Sequence, residues 1–252
     1  MRLESLLQYL DEYLGVRDHP DYGPALNGLQ VSGAGEVRKI AAAVDATQAS
    51  IDAAAEHGAD LLLVHHGLFW DGLKPVTERR YRRLKALFDA DLALYSCHLP
   101  LDSHPEVGNC ALLARAIGLR LEGRFGEYKG HPLGWVGRFD EPVTVSELVA
   151  KTADAVGGDV KVFDSGPELI ERVGVVTGSA GSLTPEAATA GLDAFITGEG
   201  AHHNAFDATE SGIHLLFAGH YATETFGVRA LAEHLSDRFG VEHVFIDLPT
   251  GL

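Results

Sequence analysis

The sequence has little cysteine, little lysine and no long apolar run, and each shortage narrows what the chain can do. Its two cysteines, Cys97 and Cys110, form no C-x-x-C pair. That argues against a secreted disulfide framework and suits free thiols in a reducing, cytoplasmic setting. Of the 20 basic residues only 6 are lysine, and the net charge is −16. Such a surface disfavours nucleic acid, because neutralising phosphates takes clustered Lys and Arg. The one basic cluster, "ERRYRRLK" at 78–85, falls on a predicted amphipathic helix and reads as a solvated face. High acidity with few lysines fits a salt-adapted proteome. No stretch approaches the roughly 18 uninterrupted apolar residues of a spanning helix, so no membrane partner is expected. The opening "MRLESLLQYLDEYLG" places Leu3, Leu6, Leu7, Leu10 and Leu14 at helical spacing among acids, unlike a signal or transit peptide.

What is present is an alternation of strands and helices across 252 residues, enough for one large α/β core or two smaller lobes. Strand "KIAAAVD" leads into helix "TQASIDAAAEHG", with Thr47 as cap and Gly58 as stop. Strand "DLLLVHH", helix "TERRYRRLKALFDA" and strand "LALYSCH" follow, the helix setting Tyr81, Leu84, Leu87 and Phe88 on one face. A second round begins near residue 130 with "PLGWVGRF" and closes on the long helix "TETFGVRALAEHLSDRFG" and strand "HVFID". The expected class is α/β with mixed, mostly parallel sheets in two halves, 1–125 and 126–252, the best boundary being 121–132.

Ligands in open α/β sheets gather at the carboxyl ends of strands. Four strands here end in His or carboxylate: "LLLVHH" in His65 and His66, "LALYSCHLPLD" in His98 and Asp102, "FITGEGAHH" in Glu199, His202 and His203, and "LLFAGHYATE" in His220 and Glu224. One histidine at a strand end is usually a hydrogen-bonded loop residue; four marked ends point to metal or acid–base chemistry. Neutral imidazole suits Zn, Fe, Mn, Ni or Co, and carboxylates compensate the charge. The H-x-x-x-E spacing of His220 and Glu224 puts both on one side of a helix, if one starts there. Three histidines and two carboxylates exceed a single open tetrahedral site and suit two metals sharing a carboxylate.

At these residues the sequence resembles the dinuclear metal-centre family of GTP cyclohydrolase 1 type 2 homologues, also called Nif-three-like proteins. The likeness runs through "NGLQV", "AVDAT", "LLLVHHGLFW", "CHLPLD", "VVTGSAG", "TGEGAHH" and "GHYATE". It implies metal ligands at His65, His66, Asp102, His220 and Glu224, with Glu224 bridging, His65 and Asp102 on one ion and His66 and His220 on the other. It also implies two intertwined α/β repeats, a toroidal homohexamer and the short form of the fold, without an inserted domain. His98, Glu199, His202 and His203 would then stand behind the ligands or carry protons.

Two functions fit this set. One is a metal-dependent, cyclohydrolase-like hydrolase of a small nucleotide or heterocycle. The other is a metal carrier, storage or insertion protein without turnover. Asn27, Gln30 and Ser179 are weak candidates for substrate contacts, although an Asn-Gly turn explains the first two as well. "VTGSAGSLTPEAA" lacks the G-K-[ST] of a phosphate loop and reads as a tight turn with Thr184 capping a helix. No His–Asp set accompanies its serines, so a serine hydrolase is not expected.

Overall fold

Apolar runs without alternation become central strands because both of their faces are covered. In chain order the elements are α1 (Leu3–Tyr13), β1 (Gly28–Val31), β2 (Lys39–Asp45), α2 (Gln48–Glu56), β3 (Leu61–His66), α3 (Glu78–Asp89), β4 (Ala93–Ser96) and α4 (Leu99–Ser103). There follow α5 (Asn109–Ala116), β5 (Arg120–Tyr128), β6 (His131–Val143), α6 (Val145–Val156), β7 (Lys161–Phe163) and β8 (Ile170–Val175). The chain ends through α7 (Thr184–Thr189), β9 (Ala194–Thr197), α8 (Asn204–Ser211), β10 (His214–Phe217), α9 (His220–Thr223), α10 (Thr225–Phe239) and β11 (Glu242–Phe245). This computed structural model describes residues 1–70 and 72–252. They divide into two compact units, Met1–Leu101 with Gly227–Leu248, and Asp102–Phe226 with Pro249–Leu252.

The first unit is built on a five-stranded sheet in the order β1-β4-β3-β2-β11. β4, β3, β2 and β11 run parallel and only β1 opposes its neighbour. Leu61 to Val64 of β3 are wholly buried, as a strand covered on both faces requires. One side packs Leu62 and Val64 with Ile51 of α2 and Leu87 of α3. α2 starts as expected: the Thr47 side chain accepts from Ser50 N–H, and the Ser50 hydroxyl accepts from Thr47 N–H in return. α3 departs from its expected face. Leu84 and Leu87 are buried, but Tyr81 and Phe88 stay 52% and 64% exposed, because the sheet covers only a narrow stripe of the helix.

The second unit has a six-stranded sheet in the order β5-β6-β8-β9-β10-β7. β8, β9 and β10 are parallel, while β5, β6 and β7 pair antiparallel. Its core joins Val173, Val175 and Ile196 to Leu113 of α5 and Leu148 of α6. Residues 121–132, read from sequence as the passage between halves, belong here to the β5–β6 hairpin. The chain instead leaves the first unit after Leu101 and re-enters it at Gly227, so β11 completes a sheet begun near the start of the sequence. Thr184 also differs from expectation. It lies within α7 and its hydroxyl donates to the Gly181 carbonyl, so it does not cap the helix. Among the described residues no helix is long and apolar enough to cross a membrane.

Candidate metal centre

Parallel register places the first group of donors. Asp45 and His66 are register partners at the carboxyl ends of β2 and β3. The Asp45 carboxylate therefore meets the neighbouring ring, and His66 Nδ1 lies 2.9 Å from Asp45 Oδ1. His65, fully buried, has Nδ1 2.9 Å from the Cys97 carbonyl oxygen just beyond β4. A carbonyl has no proton to give, so His65 Nδ1 donates and Nε2 carries the lone pair. His98 Nδ1 sits 2.8 Å from Asp21 Oδ1.

All three rings are held the same way, by an acceptor at one nitrogen that fixes the tautomer and orients the other. This is how proteins prepare imidazole for metal. One ligand atom each of His65, His66 and His98 can be taken so that the three lie within 4.8 Å of one another. His98 thus joins the two histidines that the resemblance nominates as ligands. Trp70 makes T-shaped contacts with His98 and His66, with ring centroids at 4.6 and 5.8 Å.

Behind His98 stands a carboxylate that the sequence pattern does not mark. The Asp21 side chain, only 7% exposed, also accepts from Asn27 Nδ2 at 2.8 Å and from the Leu99 amide at 3.1 Å. Burial works to raise its pKa, but the hydrogen bond and charge of His98 outweigh that, and the carboxyl ends below its usual range. Asn27 Oδ1 accepts from the His98 amide at 2.8 Å, and Gln30 Oε1 from the Leu68 amide at 2.7 Å. Both candidate substrate contacts therefore brace the loops that carry the histidines.

The second unit carries its own donors. Asp102, buried on α4, accepts at Oδ1 from Asn109 Nδ2 at 2.8 Å and from the Thr177 hydroxyl at 3.0 Å. His220 and Glu224 bracket the one turn of α9, and His220 Nε2 lies 3.1 Å from Glu224 Oε1, so the expected facing holds. His220 Nδ1 is 2.8 Å from Glu199 Oε1. Glu199 thus supports His220 as Asp45 supports His66. The hydrogen bond to Glu224 chiefly, opposed by burial and aided by Glu199, pushes His220 up to about 9.

His202 and His203 lie exposed before α8, His202 edge-on to Phe206, and neither side chain hydrogen-bonds among the described residues. Ser179 is exposed beside the buried Gly178. Asp45 and Asp21 are the two supporting carboxylates absent from the sequence-based candidates. Asp45 ends a strand next to "LLLVHH", a signal available in the sequence, whereas Asp21 precedes β1 in irregular chain and gives none.

These groups fit a divalent transition metal by donor chemistry, with imidazoles oriented through their second nitrogens and buried carboxylates to balance charge. Fold and donors together define a mixed α/β protein with a His-rich cluster able to hold a metal ion. The chain belongs to the DUF34/NIF3 family, described as Duf34/NIF3 (NGG1p interacting factor 3), which matches residues 1–251. It is 45% identical over 249 residues to a Deinococcus radiodurans protein named GTP cyclohydrolase 1 type 2 homolog, covering 99% of this chain and 94% of that one. A Halobacterium salinarum protein of the same name is 46% identical over 256 residues, with full coverage of both. Among solved structures, TTHA1606 from Thermus thermophilus superposes with a TM-score of 0.90 at 42% identity over 100% of each chain. Reduced HcgD from Methanocaldococcus jannaschii gives 0.85 at 27% identity, over 98% of each.

The support given by Asp45 can be measured. Asp45→Ala is expected to weaken metal binding by about 10–100-fold, the usual loss when an imidazole loses its carboxylate partner. Competition against a chromophoric chelator reads the change, and an unaltered affinity would show that Asp45 does not prepare His66.

Proposed function

We propose that the chain binds two divalent transition-metal ions through His65, His66, Asp102, His220 and Glu224 and hydrolyses a small nucleotide or heterocyclic substrate. The observation that carries this reading is the common orientation of His65 and His66, each held at Nδ1 so that Nε2 is offered as a ligand, with His98 held in the same way beside them. The relatives' shared name, GTP cyclohydrolase 1 type 2 homolog, supports the reaction class. A bound divalent ion supplies a water whose pKa falls to about 7 in favourable sites. The chain's own part is to orient imidazoles through Asp45, Asp21 and Glu199 and to hold a proton at His220 until metal arrives. The buried thiols of Cys97 and Cys110 suit the cytoplasmic setting we assign. A homohexamer is the assembly we expect.

The test is metal content of untagged protein with its solution mass, followed by titration of metal into stripped protein. About two ions per chain, in a hexamer, is the expected result. None, with none taken up, would sink the reading. Full metal occupancy with no turnover of nucleotides or heterocycles, and exchange faster than any hydrolysis, would give the role to a carrier instead.

The titration also has a predicted pH dependence. In the metal-free chain His220 keeps its proton up to about 9, so metal must displace it to bind Nε2. Affinity should rise with pH and level off above about 9, with a proton released per chain at pH 7.5. The sign for folding is opposite: the raised His220 stabilises the metal-free fold fully below its ordinary 6.5 and loses that contribution as pH climbs through about 9. Isothermal titration in buffers of different ionisation enthalpy counts the protons, and no release would show that His220 does not bind through Nε2.

A further inference from the structure

The basic cluster at 78–85, which the sequence assigns to a solvated face, behaves otherwise at the start of α3. Lys74, Arg79, Arg80 and Arg83 line a pocket of about 200 Å³, with Leu68 and Glu78 also in its wall. In a chain of net charge −16, four cations around one concavity is a concentration that folding alone does not require. Arg79 and Arg83 stand one helical turn apart, where like charges repel. Burial first, and then the charge of Arg79, push the Arg83 guanidinium below its usual range.

The donors of Arg80 and Arg83 are not used up. The Nε atoms of Arg80 and Arg83 are buried and meet no acceptor among the described residues. Arg80 is held in place by stacking 5.1 Å over Phe69 and by one bond from Nη1 to the Lys74 carbonyl at 3.3 Å. None of Arg79, Arg80 and Arg83 makes an ion pair among the described residues. The opposite charge that reaches Arg83 is Asp45, whose Oδ1 already accepts from His66. The helix adds to the field, since α3 begins in the pocket wall and Thr77 makes no side-chain capping bond there.

The pocket therefore sits beside the histidine group. Leu68 and Phe69 follow His66 by two and three residues, and the charge of Asp45, which holds the His66 ring, is felt at Arg83. Whole-ligand pockets run to about 300–1,000 Å³, so this volume fits one group of a ligand with the rest extending outward. Guanidinium forks match phosphate oxygens in planar, paired hydrogen bonds.

We propose that Lys74, Arg79, Arg80 and Arg83 hold the phosphate end of a phosphorylated small-molecule substrate whose reacting part lies toward His66. This rests on the reading that the chain turns over a small substrate at its metal group. Glu78 trims the charge of the pocket and favours a compact anion over a long polyanion.

The experiment is calorimetric titration of inorganic pyrophosphate into the full chain stripped of metal, so that coordination to metal cannot supply the signal. The wild type should bind, and the affinity should fall steeply with salt. R79Q/R83Q should bind at least tenfold more weakly. R79Q alone, at an exposed position, should lose threefold or more, which keeps the test sound if the double variant folds poorly. No binding by the wild type, or equal affinity in R79Q, overturns the proposal. Tighter binding of a single-stranded oligonucleotide through the same arginines would overturn the small-molecule assignment. Metal content separates this result from the preceding one: a wild type that binds pyrophosphate through these arginines yet takes up no metal keeps the pocket and removes the hydrolase.

Discussion

Glu224→Ala is expected to cut bound metal from the proposed two ions per chain to one or none, with affinity falling more than about 100-fold, beyond the usual cost of losing a supporting partner. Glu224 is 2% exposed and stands 3.1 Å from His220 Nε2. A carboxylate buried to that degree needs a cation nearby, and in the metal-free chain the imidazolium of His220 serves. Removing it takes away a proposed negative ligand and the largest influence holding His220 up near 9. His220 should then titrate closer to its ordinary value, with Glu199 as the remaining support. Elemental analysis gives the stoichiometry, and far-UV circular dichroism shows whether the fold persists. Glu224→Gln keeps the shape while losing the charge, and should fail in metal binding almost as badly. An unchanged metal count in both variants would remove Glu224 from the site.

Gly178→Ala should produce nearly the same loss of metal without touching a ligand. Gly178 has φ +68, a region that costs an ordinary residue roughly 1–2 kcal/mol. Its backbone cannot turn away, because its amide donates to the Thr223 hydroxyl at 3.1 Å and its carbonyl accepts from the Glu199 amide at 2.9 Å. A methyl group there would stand 2.3 Å from Glu224 Oε1 and 3.4 Å from His220 Nε2. The first contact is impossible, but it involves the tip of a side chain, which can rotate. The carboxylate therefore moves, and the metal-free fold takes the dihedral strain together with the loss of the Glu224 contact to His220. The dihedral strain by itself should cost about 1–2 kcal/mol, which for a chain of this size is about 2–8 °C in Tm. The variant's metal content should drop as in Glu224→Ala. Full metal occupancy with a lowered Tm would mean that Glu224 need not hold the position it takes here.

Several parts of the site are legible in the order of residues. "LLLVHH" reads as a buried strand with histidines where the core ends, since a short unbroken apolar run needs cover on both faces. The H-x-x-x-E spacing of His220 and Glu224 fixes their mutual facing once a single helical turn forms between them. Thr47 and Gly58 bound α2 because capping chemistry is local. The ligands named by resemblance need only the order of short motifs along the chain.

Other features depend on neighbours distant in sequence. Asp45 supports His66 because β2 and β3 pair in parallel and in one register, and no local pattern states which residues come level across two strands. The β5–β6 hairpin carries glycines and charges that read as the boundary between halves, and it is strand because each partner supplies the other's hydrogen bonds. Tyr81 and Phe88 have helical spacing for burial, but the sheet covers too narrow a stripe of α3 to reach them. The arginines of "ERRYRRLK" look like a solvated face in sequence, and only packing against Leu68 and Phe69 turns part of that face into a pocket. By itself the sequence determined the residue types, their spacing and the strand ends where they fall, since these rest on local periodicity and capping. Tertiary structure decided which acceptor holds each imidazole and which charges share a concavity, because those follow from strand register and packing across long separations in the chain.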